Sequence, residues 1–134
     1  MWNDSGTNAL PRAGVGLSEE FGYMGIATED LPGGILRVIL DGRLDIEGAA
    51  AIDLRMNVIA GAHKAVLVDL EQVSFLGSMG LRALVSPARA IKNRGGKMVL
   101  CGPNEMVANV LKTSGIDTLI PVCGDLETAI AALQ

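Results

Sequence analysis

Residues 66–85 read VLVDLEQVSFLGSMGLRALV. The run that leads in, AVLVDL at 65–70, is almost continuously apolar, as expected of a central strand covered on both faces. Leu81, Leu84, Val85 and Ala88 then fall at i, i+3, i+4 and i+7, the stripe of an amphipathic helix. A strand passing through a short loop into a helix predicts an α/β fold. The junction itself is Gly77-Ser78-Met79-Gly80. A serine there caps the helix, its hydroxyl accepting from an N–H one turn in, for about 1 kcal/mol. The same position tolerates negative charge, because unpaired N–H groups and the helix dipole both favour an anion. As a phosphoacceptor, Ser78 would gain roughly −1.5 to −2 charges at neutral pH and alter any surface packed over it. Cap and phosphoacceptor are thus two readings of one residue.

Outward from this junction, strands and helices alternate. FGYMGIAT (21–28) and ILRVIL (35–40) flank Asp30 and Pro32-Gly33-Gly34, an antiparallel hairpin. In the next segment Ala49, Ile52, Met56 and Ile59 recur at helical spacing up to Gly61. Pro87 lies inside the helix after Ser78, where a lost donor and a crowded turn predict a kink or an early end with a restart. KMVLCG (97–102) is a strand. PNEMVANVLKTSG (103–115) is a helix with Pro103 at its first position and Gly115 at its stop. A short strand from Leu119 to Val122 and a helix carrying Leu126, Ala129, Ile130 and Leu133 complete the chain, with Gly124-Asp125 as turn and cap. The predicted order is ββαβαβαβα: one α/β domain with a mostly parallel sheet of four to five strands, an opening hairpin and right-handed crossovers.

The 134 residues suffice for one self-supporting core over residues 21–134. Residues 1–20, MWNDSGTNALPRAGVGLSEE, are rich in Gly, Asn, Ser and Pro without periodicity and read as a flexible tail. They lack the basic and apolar regions of a secretory signal, and no apolar run reaches the ~18–20 residues of a membrane span. The expectation is a cytoplasmic protein with no direct membrane insertion. A net charge of −4 without a basic cluster argues against nucleic acid as a partner, and 3% aromatic residues leave no stacking platform for bases.

Enzymatic chemistry finds no support in the residues. His63, the lone histidine, falls in a loop without the partners of a triad or metal site. No phosphate-binding loop occurs, and Asp41, Asp45 and Asp69 are spread over different elements. Cys101 and Cys123 each end a predicted strand without metal spacing and read as buried free thiols, a disulfide being the minor alternative. No cofactor or metal is expected. Near Ser78, Gly77 and Gly80 permit close backbone approach, and Arg82 can pair with a carboxylate or phosphate. Met79 either offers an adaptable apolar contact or tucks into the protein.

Several landmarks together resemble a known family. Asp69-Leu70, Val73, Phe75, Leu76, Ser78, Gly80 and Leu81 match the strand–junction–helix pattern of the STAS domain, which includes bacterial anti-sigma factor antagonists. Leu40-Asp41-Gly42-Arg43-Leu44-Asp45 resembles the segment between its second strand and first helix. Gly95-Gly96-Lys97-Met98-Val99-Leu100 and Leu111-Lys112-Thr113-Ser114-Gly115 are similar to its later landmarks. The resemblance covers roughly residues 20–134 and implies a partner switch. The unphosphorylated antagonist would bind an anti-sigma factor that is also a serine kinase of histidine-kinase-like ATPase fold, freeing a sigma factor. Phosphorylation at Ser78 would end that binding and a serine phosphatase would reset it, the antagonist itself being no enzyme. Asp45, Gly77, Ser78, Met79 and Arg82 would lie on the partner-binding surface. Many members carry an acid where this chain has Gly77, and often a second serine where it has Met79. The first change removes a carboxylate beside the hydroxyl, and the second leaves one acceptor. An alternative implied by the same family is a constitutive STAS accessory subunit of a membrane lipid or anion transport complex. A weak homodimer through the hairpin is a further option.

Overall fold

Burial alternates from Leu36 to Leu40 in the second strand of the opening hairpin, while the first strand is largely exposed. In the computed structural model, which describes residues 24–134, Gly25–Leu31 (β1) pairs antiparallel with Ile35–Leu44 (β2). The turn between them holds Gly33 and Gly34 at φ +85° and +77°, a region glycine enters freely. The expected tail at 1–20, and Phe21 to Tyr23 of the expected first strand, lie outside the described residues. From β2 the chain alternates as anticipated: Ile46–Ala62 (α1), Ala65–Leu76 (β3), Ser78–Asn93 (α2), Lys97–Cys101 (β4), Glu105–Thr113 (α3), Val122–Cys123 (β5) and Leu126–Leu133 (α4). The five strands form one sheet in sequence order, β2 to β5 parallel and β1 antiparallel at the edge.

The sheet separates two apolar layers. Leu36, Val38, Val66, Val68, Met98 and Leu100 point to one side and pack with Ile52 and Met56 of α1, Leu84 and Ile91 of α2, and Val107 and Leu111 of α3. Strands laid down in one direction with right-handed crossovers place their helices on one face, as here. Ile35, Leu67, Val99, Cys101 and Cys123 point to the other side, where α4 covers them with Ala129. Both cysteines are buried and free.

Four boundaries depart from expectation. β3 does not end at Leu70 but runs to Leu76, leaving only Gly77 between strand and helix. Its inward residues are Val66, Val68, Leu70, Val73 and Leu76, so the two-residue period becomes three after Leu70. The register against β2 slips between Ile39 and Asp41 and again between Gly42 and Arg43, with extra residues on β3 each time. These bulges interrupt the alternation by which a strand is recognised. The first is pinned by Asp69, the one buried charged side chain among the described residues. Its Oδ1 accepts from the Glu71 N–H at 3.0 Å, while Oδ2 accepts from Arg37 Nη2 and Nε at 2.6 and 3.2 Å.

α2 neither ends early nor restarts at Pro87. It continues to Asn93, with Leu84 and Ile91 anchored in the core on either side of the missing donor. α3 starts two residues later than expected: Asn104 caps it, its Oδ1 accepting from the Val107 N–H at 2.8 Å, and Pro103 precedes the cap. The last strand is Val122–Cys123, and Ile116–Thr118 form a 3-10 turn ahead of Leu119.

One close approach fixes the β3–α2 junction. The Gly77 N–H donates to the Leu44 carbonyl at 3.0 Å, bringing the start of α2 against the end of β2. A Cβ on Gly80 would lie 2.8 Å from Leu44 Cβ and 2.9 Å from Leu76 Cδ1, and would overlap the Leu44 carbonyl oxygen. Gly80→Ala is therefore expected to destabilise the protein by about 2 kcal/mol, the scale of overpacking against a backbone that must move, measured by urea denaturation.

Candidate functional site

Three parallel strands end side by side, and each turns directly into a helix. Asp45 caps α1, Gly77 caps α2 and Asn104 caps α3, so three first turns share one end of the molecule. Two of these caps are side-chain caps. Asp45 Oδ1 accepts from the Gly48 N–H at 2.9 Å, and Gly48 must be small because a Cβ there would run into the Arg43 carbonyl. Asn104 combines its cap with a donation from Nδ2 to the Val73 carbonyl at 3.2 Å, tying α3 to the bulged end of β3. Gly77 contributes no side-chain cap.

The sequence reading made Ser78 the cap of α2. It is instead the first helical residue, exposed, and Gly77 occupies the cap position with φ −108° and ψ −177°. The hydroxyl is thus not assigned to a cap bond, and the capping interpretation of Ser78 falls. Met79, open between contact and burial in the sequence, is 39% exposed. Arg82, one turn beyond Ser78, is exposed, without an ion pair or hydrogen bond among the described residues. Asp45 comes to the same end because the Gly77 N–H is bonded to Leu44, its chain neighbour. Asp45, Gly77, Ser78, Met79 and Arg82 therefore occupy one region of surface.

Other residues join them that the sequence did not single out. The Arg43 guanidinium stacks 4.4 Å from the centroid of Phe75 and donates through Nε to Asp45 Oδ2 at 3.4 Å. The Phe75 ring in turn lies 3.2 Å from where a Cβ on Gly77 would stand. Arg43 and Phe75 are cross-strand partners after the second bulge, a pairing that residue spacing does not disclose. Ile46 and Met106, in the first turns of α1 and α3, are 71% and 47% exposed, so each of the three helices shows an apolar side chain beside the junction. Among the described residues no three His, Cys, Asp or Glu side chains converge as a metal site.

The electrostatics follow from these contacts. The Gly48 N–H, and after it the Arg43 guanidinium, hold the Asp45 carboxyl below the ordinary aspartate value of 3.8. Burial and the neighbouring Asp69 carboxylate push the Cys101 thiol up to about 11, which keeps it protonated and unreactive. The surface around Ser78 holds an exposed hydroxyl, apolar side chains and arginines, with the Asp45 carboxylate already engaged and the exposed Glu47 and Glu105 in the neighbouring first turns of α1 and α3.

Residues 29–129 match the model of the STAS domain. The chain belongs to the STAS domain family. Among its relatives, the anti-sigma F factor antagonist of Paenibacillus polymyxa is 25% identical over 103 residues, spanning 75% of this chain and 88% of that one. The crystal structure of an anti-sigma factor antagonist from Mycobacterium paratuberculosis superposes with a TM-score of 0.74 at 25% identity, over 82% of this chain and 93% of that one. A sulfate transporter family protein from Wolinella succinogenes shares the fold, with a TM-score of 0.67 at 18% identity, over 78% of this chain and 88% of that one. The mixed five-stranded sheet with helices on both faces is the STAS architecture. No helix among the described residues is long and apolar enough to cross a membrane.

The caps generate a paired expectation. Asp45 ionises more readily in the fold than in the unfolded chain, so its contribution is present above pH 3.8 and is lost as pH falls through the lowered folded value. Asp45→Ala should cost about 1 kcal/mol at neutral pH, with the gap from wild type closing in acid, in urea titrations. Ser78→Ala should change stability by less than about 0.5 kcal/mol, since the serine caps nothing.

Proposed function

We propose that the protein is an anti-sigma factor antagonist that works by partner switching, with Ser78 as its phosphoacceptor. The observation that carries this reading is the exposed Ser78 hydroxyl at the first position of α2, flanked by Met79, Arg82 and the Asp45 end of β2. Relatives named as anti-sigma factor antagonists support it. In the unmodified state an anti-sigma factor, itself a serine kinase of histidine-kinase-like ATPase fold, packs over Asp45, Gly77, Ser78, Met79 and Arg82 and lets its sigma factor go. A phosphate on Ser78 brings about two negative charges and three acceptor oxygens into that contact. The fold has room for it, because Ser78 projects to solvent and makes no cap bond that modification would break. Apolar side chains such as Met79 and Ile46 would then face a desolvated dianion across the interface, which is costly. A serine phosphatase removes the group and restores binding. The protein supplies no catalysis in this cycle, and the setting is the cytoplasm.

The rival reading is a constitutive accessory subunit of a lipid or anion transport complex. It draws on Gly77, which leaves the hydroxyl without the acidic neighbour many family members have. One experiment separates the two. The protein is recovered from native lysate with its partner, its intact mass is read for a single phosphate, and the purified partner is titrated calorimetrically. Ser78→Asp should lower affinity at least tenfold while Ser78→Ala binds as wild type does. Equal binding of both variants would overturn the switch in favour of the constitutive subunit.

A further inference from the structure

A groove of about 550 Å³ runs along the outer side of α2, away from the β2 end of the junction. Its apolar lining is Leu81 and Val85, both packed against the core, together with Ile116 from the turn that follows α3. Its polar lining is Arg82, Ser86, Arg89 and Asn93, with no carboxylate. These four fall at i, i+4, i+7 and i+11 and form one stripe on the exposed side of the helix.

The two arginines are unlike their counterparts elsewhere. Arg37 is bound to Asp69 and Glu29, Arg43 to Asp45, and Arg94 to the carbonyls of Ala60 and His63. Arg82 and Arg89 are exposed and have no such partner among the described residues. In a chain of net charge −4 they form a local excess of positive charge over an apolar floor. Seven helical residues separate them, about 10 Å along the axis at 1.5 Å per residue. The matching shape is another helix lying along α2, apolar on the side that enters the groove and carrying carboxylates two turns apart.

We propose that this groove seats an acidic amphipathic helix of the anti-sigma partner, its carboxylates engaging Arg82 and Arg89 and its apolar side chains resting on Leu81, Val85 and Ile116. This deepens the partner-switch reading and rests on it. The groove also connects to the switch. Ser78 and Arg82 stand at i and i+4, neighbours on the helix surface, so a phosphate on Ser78 takes Arg82 within its own chain. The partner's helix then loses one of its two anchors, and modification at the mouth of the groove weakens binding along its length. Arg89 lies eleven residues from Ser78, about 16 Å along the axis and beyond the reach of that phosphate.

The test places a benzophenone side chain at position 79, beside Ser78, or at position 86, inside the groove, in the full-length protein in the cells that make it. Illumination should join both positions to the same protein. The peptide joined at 86 should carry two Asp or Glu residues two turns apart. Arg89→Glu, an exposed change that leaves the circular dichroism spectrum intact, should lower affinity for that partner at least tenfold. Exchanging the matching carboxylate of the partner for lysine should recover at least part of the loss. An adduct at 79 without one at 86, a neutral or basic peptide at 86, or unchanged affinity of Arg89→Glu would overturn the groove and leave the switch standing. Absence of adducts at both positions would overturn the partner-switch reading and the groove with it.

Discussion

The carbonyl group of Leu44 is where the end of β2 meets the start of α2. It accepts the Gly77 N–H at 3.0 Å and occupies the space that a side chain on Gly80 would need. Two glycines three residues apart are therefore tied to one backbone oxygen. Between them Ser78 and Met79 have nowhere to go but outward, and both are exposed. The junction is rigid because backbone holds backbone, which leaves its side chains free of structural duty. Asp45 is positioned by the same contact, being covalently next to Leu44 while capping α1 through Gly48.

An exposed residue at the head of a helix is a sensitive place to change charge. The first-turn N–H groups of α2 receive no side-chain acceptor from Gly77, Arg82 stands one turn on, and the Asp45 carboxylate is already committed to Gly48 and Arg43. In the proposed switch, a surface of this kind would take anions from either direction, from a phosphate on Ser78 or from a partner's carboxylates. Competition between those two anions would suffice for the proposed switch without any movement of the backbone. The apolar side chains at the first turns of α1, α2 and α3 supply the non-polar part of the same contact surface.

Much of this was legible in the sequence, and the exceptions share a cause. Helices α1 and α4 were read from periodic apolar residues that do sit in the two cores, such as Ile52, Met56 and Ala129. β3 was cut short at Leu70 because two bulges re-phase its inward residues, and a bulge is a relation between strands. The stacking of Arg43 on Phe75 was hidden for the same reason, since its register depends on those bulges. Residue preference points to Ser78 as the cap, but the hydrogen bond from Gly77 to Leu44 sets the helix boundary one residue earlier. Pro103 drew the start of α3 towards itself, whereas the competent cap, Asn104, stood beside it. Local preference found the elements; contacts between residues distant in sequence set their edges.

The strand order has a consequence for how the molecule is made. Each strand pairs with the one before it in the chain, so the sheet can be assembled in the order in which a ribosome delivers it. The layer beneath α1, α2 and α3 closes progressively as each crossover emerges. The opposite layer does not: among the described residues, the helix that covers Ile35, Leu67 and Val99 is Leu126–Leu133, the last to be made. Among the described residues, eight therefore convert an apolar sheet face into a finished surface, and they are the last of the fold to be delivered.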